Sequence, residues 1–157
     1  MAVTVLIHGA WSRRQQWNPA RAAFEERGYK VHAPTLRHHE LPVHEGAPKI
    51  ARLSLRDYTD DLVALVASLD SPPLLVGHSL GGFVVQLVAA PTPHVGVVAA
   101  CPSAVGPAGL NRTTLRMSLA HGRQPRPWAK PVYPPTWELC RRRGPRSDRG
   151  GCSRGLR

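Results

Sequence analysis

Leu74-Leu75-Val76-Gly77-His78-Ser79-Leu80-Gly81-Gly82-Phe83-Val84-Val85 is the stretch that decides the fold. An apolar run ends in Gly-His-Ser-Leu-Gly and passes directly into a second apolar run that suits a helix. The pattern predicts a strand, a very tight turn and a helix, with Ser79 at the apex. Gly77 and Gly81 flank the serine on either side. Side chains at those places would crowd the strand and the helix as they diverge, which glycine avoids. The turn is expected to hold Ser79 in a strained backbone conformation, its hydroxyl exposed at the carboxyl end of a sheet.

Working outward, the same grammar repeats. Val3–Ile7 is a short β-favouring run read as a buried parallel strand, broken by His8-Gly9-Ala10-Trp11-Ser12. A helix is expected from about Pro19 to Arg27, with Gly28 as the residue that ends it. Tyr29–Ala33 makes the next strand, stopped by Pro34. His38–Leu53 holds two prolines and a glycine and reads as an irregular, mobile excursion. Ser54 and Asp57 form a capping box ahead of Leu55, Tyr58, Leu62, Leu65, Val66 and Leu69, which recur at helical spacing. A helix from about Gly81 to Ala90 follows the elbow, and Val95–Ala100 is the fourth strand. This β-α-β-α-β-α-β order predicts an α/β fold: a parallel sheet of about four strands flanked by helices.

Beyond residue 107 the rhythm fails. Residues 1–107 are read as the core and 108–140 as a partial cap-like region, with one short helix over Arg112–His121 and five prolines in Gln124–Trp137. Residues 141–157, with seven arginines, four glycines and Leu156 as the sole large apolar side chain, are read as a disordered basic tail.

The net charge of +11 is therefore local: residues 1–100 carry nine Lys/Arg against eight Asp/Glu, and residues 101–157 carry twelve against two. The tail has no interleaved aromatics to stack bases, so no specific nucleic-acid partner is expected. Cys101, Cys140 and Cys152 match no zinc or redox spacing. Neither His38 nor His39 pairs with Glu40 or Glu45 at metal-site spacing. No metal or cofactor is expected, and the single glycine of His8-Gly9-Ala10-Trp11 argues against a phosphate loop. With no signal-peptide pattern and no apolar stretch of membrane-spanning length, a cytoplasmic location and no membrane partner are expected.

A serine hydroxyl is a weak nucleophile unless a base, usually a histidine held by a carboxylate, takes its proton. The attacked carbonyl then needs donors for its growing negative charge. The N–H of Leu80, at the start of the helix after the elbow, is one. The N–H of Ala10 or Trp11, in the loop after the neighbouring strand, is the other. His8 is read as structural, held near that loop. His78 is expected to face away from Ser79 and pack under the elbow, and His94 to sit near the opposite end of the sheet.

Residues 3 to about 105 resemble the front half of an α/β-hydrolase fold protein of the esterase, lipase and haloperoxidase-like kind. The resemblance rests on His8-Gly9-Ala10-Trp11, Gly28-Tyr29-Lys30-Val31-His32-Ala33-Pro34, Asp57–Leu69 and Gly77-His78-Ser79-Leu80-Gly81-Gly82, in order and at proper spacing. It implies that Ser79 is the catalytic nucleophile, and that Leu80 with Ala10 or Trp11 forms the oxyanion hole. It also implies that Pro125–Glu138 begins a cap.

One departure is severe. The family order is Ser, then Asp or Glu, then His. Beyond Ser79 the acidic residues are Glu138 and Asp148; His94 and His121 precede both, and no histidine follows. Two readings stay open. The first is serine-nucleophile hydrolysis of a small ester or related acyl substrate, its histidine supplied by His121, a partner chain or a missing C-terminal half. The second is a non-catalytic truncated or frame-shifted hydrolase fragment that self-associates through an exposed sheet edge beyond Val95–Ala100.

Overall fold

A computed structural model of the chain describes residues 1–103. The cap-like region over 108–140, the Arg112–His121 helix and the basic tail over 141–157 lie outside the described residues.

Four strands form one parallel sheet: β1 (Val3–Ile7), β2 (Lys30–His32), β3 (Leu74–His78) and β4 (Gly96–Ala100), in the order β2-β1-β3-β4. The apolar runs read from the sequence become strands because a buried parallel strand needs both faces apolar. Val5 and Ile7 enter one continuous core with Leu75, and the alternate residues Thr4 and Leu6 are buried as completely on the other face. β4 lies at one edge of the described sheet, where Val95 is 73% exposed and Val97 and Val98 are also open to solvent.

The helices are α1 (Asn18–Glu25), α2 (Val43–Ile50), α3 (Leu55–Ala67) and α4 (Leu80–Ala89). α1 is preceded by a 3-10 turn at Arg14–Trp17 and followed by Gly28 at φ 79°, the left-handed conformation that glycine takes without penalty. The capping box of α3 is present in full: the Asp57 N–H donates to Ser54 Oγ (3.3 Å) and the Ser54 N–H donates to Asp57 Oδ2 (2.7 Å). From that start Tyr58, Leu62 and Val66 fall on one face and enter the core beside Val84, Val85 and Val88 of α4.

One sequence expectation is corrected here. Within the stretch read as irregular, Val43–Ile50 is a helix that contains Pro48. Pro42 sits immediately before the first helical residue, where a proline suits the start of a helix. Pro48 removes only one backbone donor, and burial of Gly46 and Ala47 seats the short helix.

Candidate active site

The parallel register brings the carboxyl ends of β1, β3 and β4 to one rim of the sheet. Ile7 lies beside Gly77, and His78 lies beside Ala100. Ser79 follows β3 on that rim with φ 54° and ψ −118°, a left-handed conformation that L residues adopt at a cost of about 1–3 kcal/mol. Three hydrogen bonds fix it there. Its N–H donates to the Ala100 carbonyl (3.1 Å), and its own carbonyl accepts from the N–H groups of Phe83 (3.1 Å) and Ser103 (2.9 Å). The neighbouring elements thus over-determine a conformation the residue would not choose alone.

The two flanking glycines are required by contact. A Cβ on Gly77 would collide with the Gly81 carbonyl, and one on Gly81 with the carbonyls of Ile7 and His8. α4 can therefore start one residue after Ser79 and still pack against β1 and β3. Because the strain lies at Ser79, Ser79→Gly is expected to stabilise the chain by about 1 kcal/mol while deleting the hydroxyl. Ser79→Ala keeps the strain and is expected to be near neutral. Urea melts of the two variants beside the parent check both.

Leu80 opens α4 half-buried, and among the described residues no acceptor takes up its N–H. The His8–Ser12 loop closes the other side. A Cβ on Gly9 would stand 3.1 Å from Ser79 Cβ, so the loop backbone runs directly against the serine. Ala10 is exposed and Trp11 is 43% exposed; neither N–H has an acceptor among the described residues. The Gly9 carbonyl is turned away and occupied, accepting from the Ser12 N–H (3.2 Å) and from the His8 ring (2.8 Å).

His8 is buried, 1% exposed, and both its ring nitrogens are engaged. A carbonyl only accepts and an amide N–H only donates, so the ring tautomer follows from its partners. Nδ1–H donates to Gly9, and Nε2 accepts from the Leu36 N–H (3.0 Å). Burial lowers its pKa to about 4, opposed by the Gly9 hydrogen bond and helped to a lesser degree by the nearby His39. It is a neutral structural ring, as the sequence reading has it. Sequence reasoning missed what lies behind it. His39, placed in a mobile excursion by that reading, is buried instead: its ring centroid is 5.1 Å from that of His8, and its Nε2 is 3.4 Å from the Tyr58 hydroxyl. Burial lowers the His39 pKa and pushes the Tyr58 hydroxyl up to about 12. Only the apolar spacing of α3 hinted at this packing, since Tyr58 lies on its core face.

The remaining histidines divide. His94 precedes β4 at the far end of the sheet, its Nδ1 donating to the Thr92 carbonyl (3.0 Å), as expected. His78 is exposed, which corrects its expected packing under the elbow: as the last residue of β3 it lies at the sheet's rim, where the flanking layer ends. His121 lies outside the described residues. Among the described residues no histidine is bonded to Ser79 Oγ, no cluster of His, Cys, Asp or Glu has the makings of a metal site, and no helix is long and apolar enough to cross a membrane.

Ser103 was also missed. Its hydroxyl lies 3.4 Å from Ser79 Oγ, and its only sequence signal is a place just after the fourth strand, on the rim that carries Ser79.

A parallel sheet with a serine on a strained strand-to-helix turn, flanked by glycines and faced by the loop of the adjacent strand, defines the class of α/β folds that present a serine on an elbow. The chain belongs to the alpha/beta hydrolase family, whose model matches residues 4–153. A pyrethroid hydrolase from Sphingobium wenxiniae is 37% identical over 84 residues, covering 52% of this chain and 29% of that protein. A carbendazim hydrolyzing esterase from a Nocardioides species is 35% identical over 95 residues, covering 57% of this chain and 36% of that protein. The chain thus spans about a third of the length of these relatives. An extracellular alpha/beta-hydrolase from a Paenibacillus species matches with a TM-score of 0.61 at 23% identity, over 77% of this chain and 51% of that one, a likeness of fold.

Proposed function

We propose that the chain carries the nucleophile of a serine hydrolase acting on a small ester or related acyl substrate. The observation that carries this reading is Ser79 itself, held at φ 54° by three hydrogen bonds, with Ala100 of β4, Phe83 of α4 and Ser103 beyond β4. Strain so firmly held is expected where a side chain must be presented for reaction. The two relatives named for hydrolysis support an ester-like substrate class.

In this reading Ser79 Oγ attacks the carbonyl carbon while its proton passes to a base. The oxyanion is received by the N–H of Leu80 and by that of Ala10 or Trp11. Collapse expels the alcohol and leaves an acyl group on Ser79, which water then removes. The reaction needs no metal or cofactor. Neither His8 nor His94 suits the base, since His8 is buried and committed at both nitrogens and His94 lies at the wrong end of the sheet. Since no histidine of residues 1–103 is bonded to Ser79 Oγ, this reading takes the base from outside them: His121, one on a partner chain, or one on a further segment.

A second reading, a non-catalytic hydrolase scaffold, is favoured by one specific observation: among the described residues the side chain that meets Ser79 Oγ is another serine and not a histidine. In that case the open edge of β4, with its exposed valines, is the surface through which copies associate. A p-nitrophenyl ester separates the two. Acyl transfer releases a burst of about one nitrophenol per chain, absent from Ser79→Ala. A folded chain with no burst supports the scaffold.

A further inference from the structure

The loop that leaves β4 does more than end a strand. Cys101 takes φ 43°, an unfavourable value for a residue with a side chain, and this turns the chain back over the elbow. The backbone at Pro102 comes close to Gly82 in the first turn of α4, where a Cβ on the glycine would stand 3.1 Å from Pro102 Cα. Ser103 then meets Ser79 twice. Its N–H donates to the Ser79 carbonyl (2.9 Å), and its hydroxyl oxygen lies 3.4 Å from Ser79 Oγ. Both serine side chains face solvent, so the contact is not forced by core packing.

We propose that Ser103 is a second hydroxyl of the reaction centre, donating a hydrogen bond to the Ser79 oxygen as that oxygen takes on negative charge. The inference rests on the reading of Ser79 as nucleophile. In the resting state the separation exceeds the roughly 2.5–3.0 Å of a formed O–H···O bond. A charged acceptor draws such a donor in to about 2.5–2.7 Å and roughly doubles the bond's strength. The contact is therefore worth more to the alkoxide than to the resting hydroxyl, the differential that speeds a chemical step. No covalent bond changes at Ser103. The proton leaving Ser79 goes to the base, and Ser103 keeps its own. The second lone pair of Ser79 Oγ stays free to attack the carbonyl carbon and its O–H stays free for the base, and the backbone bond from Ser103 to the Ser79 carbonyl sets the distance.

The test uses the full chain carrying Cys101→Ser, Cys140→Ser and Cys152→Ser, with Ser79→Cys supplying one thiol at the elbow. The pH dependence of its alkylation by iodoacetamide gives the midpoint of thiolate formation. With Ser103→Ala added, that midpoint is expected to rise by roughly one unit, and with Ser103→Thr to return. Both variants keep the backbone bond that positions the loop. An unmoved midpoint in Ser103→Ala overturns the proposal, as does an equal rise in Ser103→Thr, which would trace the effect to packing. These titrations need no turnover. Absence of the nitrophenol burst from the unmodified chain would defeat the hydrolase reading alone, and the thiol midpoints would still decide the role of Ser103.

Discussion

Gly77→Ala and Gly81→Ala are each expected to cost about 4 kcal/mol or more of stability, and to leave little folded chain at room temperature. The reason is the identity of the atoms a methyl group would strike. At Gly77 it meets the carbonyl and the carbon of Gly81 and the nitrogen of Gly82; at Gly81 it meets the carbonyls of Ile7 and His8. All are backbone, so no flexible side chain can swing aside, and relief would require moving α4 off β1 or β3. Typical domains are stable by only about 5–15 kcal/mol, so such a shift consumes much of the total. Gly28→Ala is the control. Gly28 has φ 79° and nothing within 4 Å of its added Cβ, so it carries only the conformational cost of about 1–2 kcal/mol. Urea midpoints of the three variants compare a collision with a dihedral penalty. Equal losses at Gly77, Gly81 and Gly28 would contradict the close approach at the elbow.

Acidification is expected to remove about 3 kcal/mol of stability between pH 6.5 and pH 4, the ordinary and folded values for His8. Above pH 6.5 the ring is neutral in both the folded and unfolded chain and contributes nothing to the slope. Between the two values the unfolded chain takes up a proton that the folded chain refuses, so stability falls by about 1.4 kcal/mol per pH unit. Below pH 4 both forms are protonated and this contribution is exhausted. His39, lowered mainly by burial, acts in the same direction. The Asp57 carboxyl, held down chiefly by its hydrogen bonds with Ser54, starts below its ordinary 3.8 and leaves the window to the histidines. Denaturant melts from pH 7 to pH 4, with an NMR titration of the His8 ring, measure both sides of the linkage. A flat stability profile, or a His8 ring titrating near 6.5, would contradict the buried neutral imidazole.

Much of this architecture was legible in the sequence because the informative features are local. Val3–Ile7 is a short β-favouring run and Leu74–Val76 a short apolar one, each bounded by turn residues, as a strand buried on both faces requires. Ser54 and Asp57 declare a helix start within four residues, and the structure has it there. The elbow is legible for the same reason, since its serine and both flanking glycines lie within five residues. What escaped is through-space. His8 accepts from Leu36, 28 residues away, and His39 meets Tyr58 across 19 residues. No local spacing records that β1, the segment after β2 and α3 converge on one buried point. Ser103 escaped likewise, because its relation to Ser79 exists only once β3 and β4 are paired. α2 was missed for a different reason: prolines mark breaks on average, yet one at the entry and one late in a short helix are both tolerated.

The most direct test of the central claim is covalent labelling. The full chain is treated with a fluorophosphonate probe, digested, and the adduct located by mass spectrometry. An activated nucleophile at the elbow predicts a single adduct on Ser79, absent from Ser79→Ala although that variant remains folded. Labelling that survives in Ser79→Ala, or a folded parent chain that takes up no probe, would contradict the account of Ser79 as the residue that attacks.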